Sequence, residues 1–292
     1  MRLTCMTALA LIMGAALSAT NAEAADTSIC GQTTQIAALK SVWGAPGGRI
    51  MIAAHRGGHL SAPENSLAAI DEAVTEGADI IELDVKVSSD GVPYLMHDQT
   101  VNRTTDGEGD AEALTYAEVR RLTLRGGTTP PPTLIEALRA TCGRLLVDLD
   151  LKTDRIAPVV AAIQGLGMTD QVFLFDGDSD VLRRGQALAP GVGVMPRVLD
   201  PDGLSAATAS LDRIAVVHGD PESLTPGLRD AIRALPARIW INSLGDVDEV
   251  LDTDRACSAL TELLGHGANV IQTDRPRLLR TKIADCRLET RS

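Results

Sequence analysis

Short apolar runs alternate along the chain with amphipathic segments. Most of the runs are continuous and rich in aliphatic or β-branched side chains, which is typical of strands buried on both faces. The intervening segments favour helices; in Asn65–Glu76, for example, three apolar side chains share one face and Gly77 is a stop signal. Eight runs are therefore predicted as strands: Ile50–Ala54, Asp79–Val85, Leu145–Leu151, Gln171–Phe175, Gly191–Pro196, Arg213–His218, Ala237–Asn242 and Asn269–Thr273.

The order of these elements predicts the fold. Eight strands alternating with helices indicate a closed parallel barrel, the (β/α)8 TIM barrel of the α/β class, rather than an open sheet. A doubly wound open sheet is the alternative, but no GxGxxG loop follows the first strand.

One segment, at about 91–133, departs from the alternation. It carries an extra strand, Pro93–His97, then a Gly- and Thr-rich loop and a short helix around Tyr116–Leu122. We interpret it as an insertion after the second strand. In barrels, additions of this kind lie at the C-terminal face, where active sites are built.

The N-terminal residues predict an export signal. Arg2 precedes an apolar run to about Ala19, and Ala22-Glu23-Ala24 fits a small-x-small cleavage site. The run is short for a membrane span, although an uncleaved anchor is the alternative. We therefore expect residues 1–24 to be removed and residues 25–292 to form a single domain. The mature protein is expected to be periplasmic or secreted, without stable membrane association.

Four cysteines follow the predicted cleavage site, and an even number in an exported chain permits two disulfides. Three connectivities are possible. A closed barrel brings its termini together, which favours a bond between Cys30 and Cys286, although four free thiols are also compatible with the sequence. No cysteine has the spacing of a zinc site. The other two cysteines are Cys142 and Cys257.

Charge restricts the expected partners. The 292 residues include 27 Lys and Arg against 39 Asp and Glu, a formal charge of −12. A uniformly acidic protein is a poor candidate for binding nucleic acid or anionic lipid through its overall field. A phosphate group must therefore be bound locally, by a cation or by a few basic side chains.

Polar side chains concentrate at the C-terminal ends of the predicted strands. The first strand ends in His55 and Arg56, and the extra strand ends in His97. Glu82 and Asp84 are two residues apart on the second strand, so they share a face at about 6.6 Å spacing. Two inward carboxylates in an apolar barrel remain charged at low cost only if a cation joins them.

The third barrel strand adds Asp148, Asp150 and Lys152 on one face. Taken alone, each segment has a plainer interpretation: a solvated acidic pair, a structural histidine or an internal ladder of ion pairs. All of these segments converge on one rim of the predicted barrel, which favours a catalytic site.

Together the motifs resemble the glycerophosphodiester phosphodiesterase family. They follow the family's order over nearly the whole chain beyond the predicted signal: His55-Arg56-Gly57-Gly58, Pro63-Glu64-Asn65-Ser66, Glu82-Leu83-Asp84, His97-Asp98, Asn102-Arg103-Thr104-Thr105-Asp106-Gly107, Asp150-x-Lys152, Trp240-x-Asn242 and Thr273-Asp274-Arg275-Pro276.

The resemblance implies a metal-dependent hydrolase that converts small glycerophosphodiesters into an alcohol and glycerol phosphate. It implies one divalent cation, Ca²⁺ or Mg²⁺, on carboxylates matching Glu82, Asp84 and Asp150. It also implies that His55 and His97 are the general acid and base. Carboxylates are the ligands that such hard cations prefer. Attack by water and attack by a substrate hydroxyl through a cyclic phosphate are both compatible with the family.

Four further residues are expected to bind the substrate. By the resemblance, Arg56 binds phosphate, and Lys152 adds a second positive group near it. Asn65 is expected mainly to cap a helix with Glu64 and also to touch the substrate. Trp240 is expected to pack on the glycerol or head group, although core packing suits a tryptophan equally well.

The chain also departs from the family pattern. The family usually has glutamate at the position of Asp150, which is one methylene shorter, so Asp148 is a candidate to share the third ligand position. Phe175 is followed by Asp176-Gly177-Asp178 where the family commonly has a serine–phenylalanine pair. This acidic rim favours a pocket for a cationic or polyhydroxylated group.

Two other functions are compatible with the same fold. One is hydrolysis of a lipid phosphodiester, as in sphingomyelinase D or lysophospholipase D, and the other is non-catalytic phosphodiester binding. The chain has no obvious apolar docking loop, and it has both histidines, the arginine and a carboxylate at each expected position. These features favour a catalyst acting on a small diester. The sequence gives no indication of oligomeric state.

Overall fold

The computed structural model describes residues 29–288. Eight of its nine strands are parallel and alternate with helices, as predicted. The strands are β1 (Met51–Ala54), β2 (Ile80–Val87), β3 (Pro93–Leu95), β4 (Leu146–Leu151), β5 (Val172–Asp176), β6 (Gly193–Pro196), β7 (Val216–His218), β8 (Arg238–Asn242) and β9 (Val270–Thr273).

The helices surround the sheet and connect its strands. A 3-10 turn, His55–Gly57, follows β1 directly. The helices are α1 (Thr34–Trp43), α2 (Leu67–Thr75), α3 (Tyr116–Val119), α4 (Leu134–Thr141), α5 (Ile156–Gly165), α6 (Ser179–Leu188), α7 (Pro201–Ser210), α8 (Pro226–Arg233), α9 (Asp246–Val250), α10 (Ala256–Gly265) and α11 (Pro276–Asp285).

The parallel strands close into a barrel. Their order is β6-β5-β4-β2-β1-β9-β8-β7. The end strands β6 and β7 are joined by parallel bridges between Val194 and Ile214 and between Arg197 and His218. The predicted (β/α)8 barrel is thus confirmed, and the doubly wound alternative is excluded because its sheet would be open.

Alternation along each strand separates two buried environments. On β2, Ile81 and Leu83 pack outward with the helices, whereas Ile80 faces the barrel interior with Met51 and Val270. The inward residues that follow Ile80 are Glu82 and Asp84, because side chains two residues apart share a face. The interior is therefore apolar at the N-terminal ends of the strands and carboxylate-rich at the C-terminal ends.

Helix α1 covers the apolar end of the barrel. Its Ile36 and Leu39 are buried in the same cluster as the first residues of β1, β2 and β9. Thr33 caps the helix by accepting a hydrogen bond from the backbone N–H of Ile36. The carboxylate-rich C-terminal end of the barrel lies opposite this helix.

The segment after β2 forms a small unit of its own. Strand β3 pairs antiparallel with β2, with Val85 opposite Leu95. Behind it a separate apolar cluster includes Tyr94, Met96 and Val101, and the Tyr94 hydroxyl donates to the Ala111 carbonyl at 2.7 Å. This packing fixes the backbone that carries His97 to the barrel rim.

Two predictions about local structure were wrong. The disulfides are Cys30–Cys142 and Cys257–Cys286, not Cys30–Cys286. The reason is that Cys30 lies beside α4 and α5, where its N–H donates to the Leu166 carbonyl, whereas Cys286 ends α11, which packs on α10. The chain ends are therefore fastened to different helices.

The start of α2 is the second correction. Ser66, not Glu64 or Asn65, caps the helix, because its hydroxyl accepts from the Ala69 N–H at 3.0 Å.

The predicted export signal, residues 1–24, lies outside the described residues. Among residues 29–288, no helix is long and apolar enough to cross a membrane.

Candidate active site

Three carboxylates converge at the polar end of the barrel. Glu82 and Asp84 extend from β2 and Asp150 from β4, with Asp84 directly opposite Asp150 in the strand register. Each contributes an oxygen, and these oxygens lie within 4.8 Å of one another. Glu82 and Asp84 are buried, and the Asp150 side chain is 16% exposed. The structure thus brings together all three carboxylates predicted as metal ligands.

Without a counter-charge this cluster is electrostatically unfavourable. Burial, followed by repulsion from Asp84 and Asp150, raises the pKa of Glu82 well above its usual range. Burial and the nearby Asp150 likewise raise the pKa of Asp148, whose Oδ1 has no hydrogen-bond partner among the described residues. A set of close carboxylate oxygens fits a hard divalent cation, which would offset both the burial and the repulsion.

Basic side chains border the cluster on two sides. The Lys152 ammonium lies 2.7 Å from an Asp150 oxygen and 3.6 Å from an Asp84 oxygen. The Arg56 Nε lies 3.3 Å from Asp84, and its Nη1 donates to Glu64. Both cations line the same cavity as the carboxylates. They are placed to offer positive charge to an anionic group bound there.

Asn65 positions one of the carboxylates. Its Nδ2 donates to Asp84 Oδ2 at 2.7 Å, and its Oδ1 accepts from the Asp84 backbone N–H at 3.1 Å. Its φ of 54° lies in the left-handed region, which asparagine tolerates better than most residues. Asn65 is 3% exposed and does not line the cavity. The expected substrate contact is therefore not seen.

The turn after β1 places His55 and Arg56 at the rim. The Arg56 backbone N–H donates to Glu82 at 2.8 Å, and Arg56 has a φ of 48°. Gly57 follows with a φ of +91°, and a Cβ there would come within 2.5 Å of the Ala69 Cβ on α2. Only glycine allows this close approach, so the His-Arg-Gly sequence reflects the packing of the turn on α2.

Both predicted catalytic histidines line the cavity, and a carboxylate orients each of them. His55 Nδ1 lies 2.7 Å from Asp274 Oδ1, and His97 Nδ1 lies 2.6 Å from Asp98 Oδ1. A carboxylate at Nδ1 favours the tautomer that leaves Nε2 available for proton transfer. Each imidazole can therefore accept or donate a proton at Nε2.

In the sequence, Asp274 is identified only as part of the motif Thr273-Asp274-Arg275-Pro276. Its position directly after β9, at the same rim as the histidines, is the signal that could have identified it. Burial acts to raise its pKa, but hydrogen bonds from His55 and His59 hold the pKa of Asp274 well below its usual range. Asp274 thus remains an anion beside His55.

A chain of ion pairs connects the two sides of the rim. Arg103 donates to both oxygens of Glu64 and to both oxygens of Asp98. Its hydrogen bonds, and then that of His97, hold the pKa of Asp98 well below its usual range. Glu64 also binds Arg56 at 3.0 Å. The phosphate-binding candidate Arg56 and the orienting carboxylate of His97 are therefore fixed by one network.

The opposite wall of the cavity, which encloses about 180 Å³, contains residues that the sequence did not single out. His218 ends β7, and its ring lies 5.2 Å from that of Phe175. Burial, followed by the charge of Arg197, lowers the pKa of His218 to about 4. Arg197 is itself bound by both oxygens of Asp220. His218 and Arg197 belong to no recognisable sequence motif, so the sequence does not identify them as site residues.

Trp240 does not contact this cavity. It is fully buried inside the barrel, where its ring and that of Phe173 form a T-shaped pair with centroids 6.1 Å apart. Its Nε1–H donates to Asn242 Oδ1 at 3.0 Å, and Asn242 does line the cavity. The expected packing of Trp240 on a substrate is therefore replaced by core packing and by orientation of Asn242.

The fold and the site define a class of protein: a (β/α)8-barrel enzyme whose acidic cavity lies between two carboxylate-bound imidazoles. Comparison with known proteins narrows this class. Residues 55–163 match the model of the glycerophosphoryl diester phosphodiesterase family. A glycerophosphodiester phosphodiesterase structure from Agrobacterium tumefaciens has 31% identity and a TM-score of 0.66, over 80% of this chain and 99% of that one. The chain belongs to the glycerophosphodiester phosphodiesterase family.

Two curated relatives extend the comparison. Glycerophosphodiester phosphodiesterase 1 of Rattus norvegicus is 47% identical over 116 residues, which cover 37% of this chain and 35% of that protein. The chain thus matches about a third of the rat protein's length. An uncharacterized Bacillus subtilis protein, YqiK, is 30% identical over 62% of this chain and 79% of its own length.

Proposed function

We propose that this protein hydrolyses glycerophosphodiesters to an alcohol and glycerol phosphate. One observation carries the proposal: three carboxylates with oxygens within 4.8 Å of one another share a cavity with two imidazoles, each held at Nδ1 by an aspartate. Such a cavity suits a phosphorus centre that needs charge neutralisation and two proton transfers.

A divalent cation is proposed as the cofactor, held by Glu82, Asp84 and Asp150. When bound it would supply Lewis-acid stabilisation of negative charge on the phosphoryl oxygens. The oxygen donors favour Mg²⁺ or Ca²⁺ over softer metals. Asp148 is opposite Glu82 in the strand register and is buried beside the cluster, so it is the candidate to compensate for the short Asp150 side chain.

The remaining chemistry is assigned to the side chains that line the cavity. Arg56 and Lys152 bind the phosphate and neutralise its developing charge. His55 and His97 transfer protons at Nε2, one accepting from the attacking water or substrate hydroxyl and the other donating to the leaving alkoxide. If a substrate hydroxyl attacks, water then opens the cyclic phosphate to give glycerol phosphate. Asp274 and Asp98 keep these imidazoles in the required orientation.

We also propose that the protein is exported to the periplasm or secreted after removal of residues 1–24. Two disulfides among residues 29–288 support this, because disulfides persist mainly in oxidising compartments. N-terminal sequencing of the protein recovered from a cell fractionation tests it: a mature chain starting near Ala25 is expected, and an uncleaved cytoplasmic chain would refute it.

Product analysis tests the proposed reaction. The purified protein is incubated with glycerophosphocholine and, separately, with a lysophospholipid, each with Mg²⁺ or Ca²⁺ and with a chelator. We expect glycerol phosphate from the small diester and no product after chelation. Release of product from the lysophospholipid alone would favour a lipid phosphodiesterase, and binding of either compound without turnover would favour a non-catalytic protein.

A further inference from the structure

A second histidine contacts the carboxylate that orients His55. His59 Nε2 lies 3.2 Å from Asp274 Oδ1, the same oxygen that lies 2.7 Å from His55 Nδ1. The two imidazole rings are 5.8 Å apart between centroids. One carboxylate oxygen is therefore shared by two imidazoles. Of these two, His55 lines the cavity, whereas His59 is not among its lining residues.

The loop that carries His59 is fixed in place. Glu72 of α2 accepts hydrogen bonds from the Ser61 and Ala62 backbone N–H groups and from the Ser61 hydroxyl. On its other side, Gly58 has a φ of +75°, and a Cβ there would lie 3.3 Å from the ring of Pro276, two residues after Asp274. The contact between His59 and Asp274 is thus built into the packing of this loop.

The surroundings favour a positive charge on His59. Its hydrogen bond to Asp274 raises its pKa, against the opposing effect of burial. The charged or titratable groups that face it come from the turn after β1, the loop before α2, α2 itself and the loop after β9. They are His55, Arg56, Glu64, Glu72 and Asp274.

We propose that His59 is a positioning residue for His55. It holds Asp274 in place and, when protonated, withdraws part of the carboxylate's negative charge from the His55 ring. The inference rests on the proposed function, in which His55 transfers a proton at Nε2. His59 is not a catalytic residue in this account, because it acts only through Asp274.

A direct consequence is a coupling between the two imidazoles. Protonated His59 reduces the electrostatic attraction between Asp274 and a proton on His55, so it makes His55 Nε2 a weaker proton acceptor. At a ring separation of 5.8 Å, a unit charge partly exposed to water is expected to shift the titration midpoint by about 0.5–1 pH unit.

Two substitutions separate this role from simple packing. His59→Gln keeps a hydrogen-bond donor for Asp274 but removes the charge, whereas His59→Lys keeps a permanent positive charge. In the pH profile of kcat/KM, we expect one limb to move to higher pH by about 0.5–1 unit in His59→Gln. That limb should stay at or below its wild-type position in His59→Lys.

His266→Gln is the matched control, because His266 ends α10 and lines a different cavity from His55, and its profile should equal that of the wild type. The titration of the His55 imidazole is also followed by NMR without substrate, so the result does not depend on turnover. Equal His55 midpoints in both His59 variants and the wild type would overturn the proposal. Movement of both variants in the same direction would also overturn it. An inactive protein with the expected NMR shifts would instead refute only the proposed function.

Discussion

Each proposed catalytic side chain is held by a second residue that does not itself react. His97 is held by Asp98, which Arg103 in turn fixes to Glu64. Several of these partners could be found from the sequence, because Glu64, Asp98 and Arg103 lie in the motifs that carry the family resemblance. Asp274 also lies in one of these motifs, but its contacts with His55 and His59 could not be read from the sequence. Their importance depends on the distance between two loops that are far apart in the chain.

At the residue scale, His97→Ala should reduce turnover by about 10²–10⁴-fold, the usual contribution of a positioned general acid or base. The fold and the cation content should be unchanged, because His97 is partly exposed and hydrogen-bonds only Asp98 among the described residues. Activity on glycerophosphocholine, circular dichroism and metal analysis of the purified variant measure the three quantities. Normal turnover in a folded variant would show that the catalytic group lies elsewhere.

At the element scale, the strands could be predicted from the sequence, whereas the start of α2 and the disulfide pairing could not. Every predicted strand overlaps an observed one, because a strand buried on both faces requires an uninterrupted apolar run. The predicted helix start at Asn65 and the predicted Cys30–Cys286 disulfide were wrong, because the observed start at Leu67 and the observed pairing depend on three-dimensional contacts. Asn65, for instance, binds Asp84 on the neighbouring strand β2 instead of capping the adjacent helix.

The hydrogen bonds between Asn65, in the loop before α2, and Asp84, on β2, give a prediction at this scale. Asn65→Ala removes both hydrogen bonds to Asp84. It also places alanine at a φ of 54°, a left-handed conformation that alanine tolerates less well than asparagine. We expect a loss of about 2–4 kcal/mol in the free energy of unfolding, together with weaker cation binding.

Asn65→Gly is its matched control, since glycine adopts the same backbone conformation without strain. In chemical denaturation, Asn65→Gly should recover about 1–2 kcal/mol of the loss, while cation binding stays weak in both variants. Wild-type stability in Asn65→Ala would contradict the assigned contact.

At the scale of the whole molecule, the barrel keeps an uncharged histidine in its interior. His218 is 3% exposed, and burial together with Arg197 lowers its pKa to about 4. The unfolded chain, with a histidine pKa near 6.5, binds this proton more readily than the folded protein. Stability is therefore lost as the pH falls from about 6.5 towards 4.

This effect can be isolated by substitution. At pH 4 the loss in the free energy of unfolding that is due to His218 should approach about 3 kcal/mol, from roughly 1.4 kcal/mol for each unit of pKa difference. Denaturation curves between pH 7 and pH 4 should show a smaller loss of stability for His218→Gln than for the wild type. Parallel losses in the two proteins would mean that His218 is not buried in its neutral form.

The proposed mechanism depends on one cation shared by carboxylates from β2 and β4, between two imidazoles. The most direct test measures bound Mg²⁺ or Ca²⁺ per chain, with turnover, in the wild type, Glu82→Gln and His97→Ala. We expect one cation in the wild type, weak binding and low turnover in Glu82→Gln, and full binding with turnover reduced about 10²–10⁴-fold in His97→Ala. Full cation binding and normal turnover in Glu82→Gln would contradict the account.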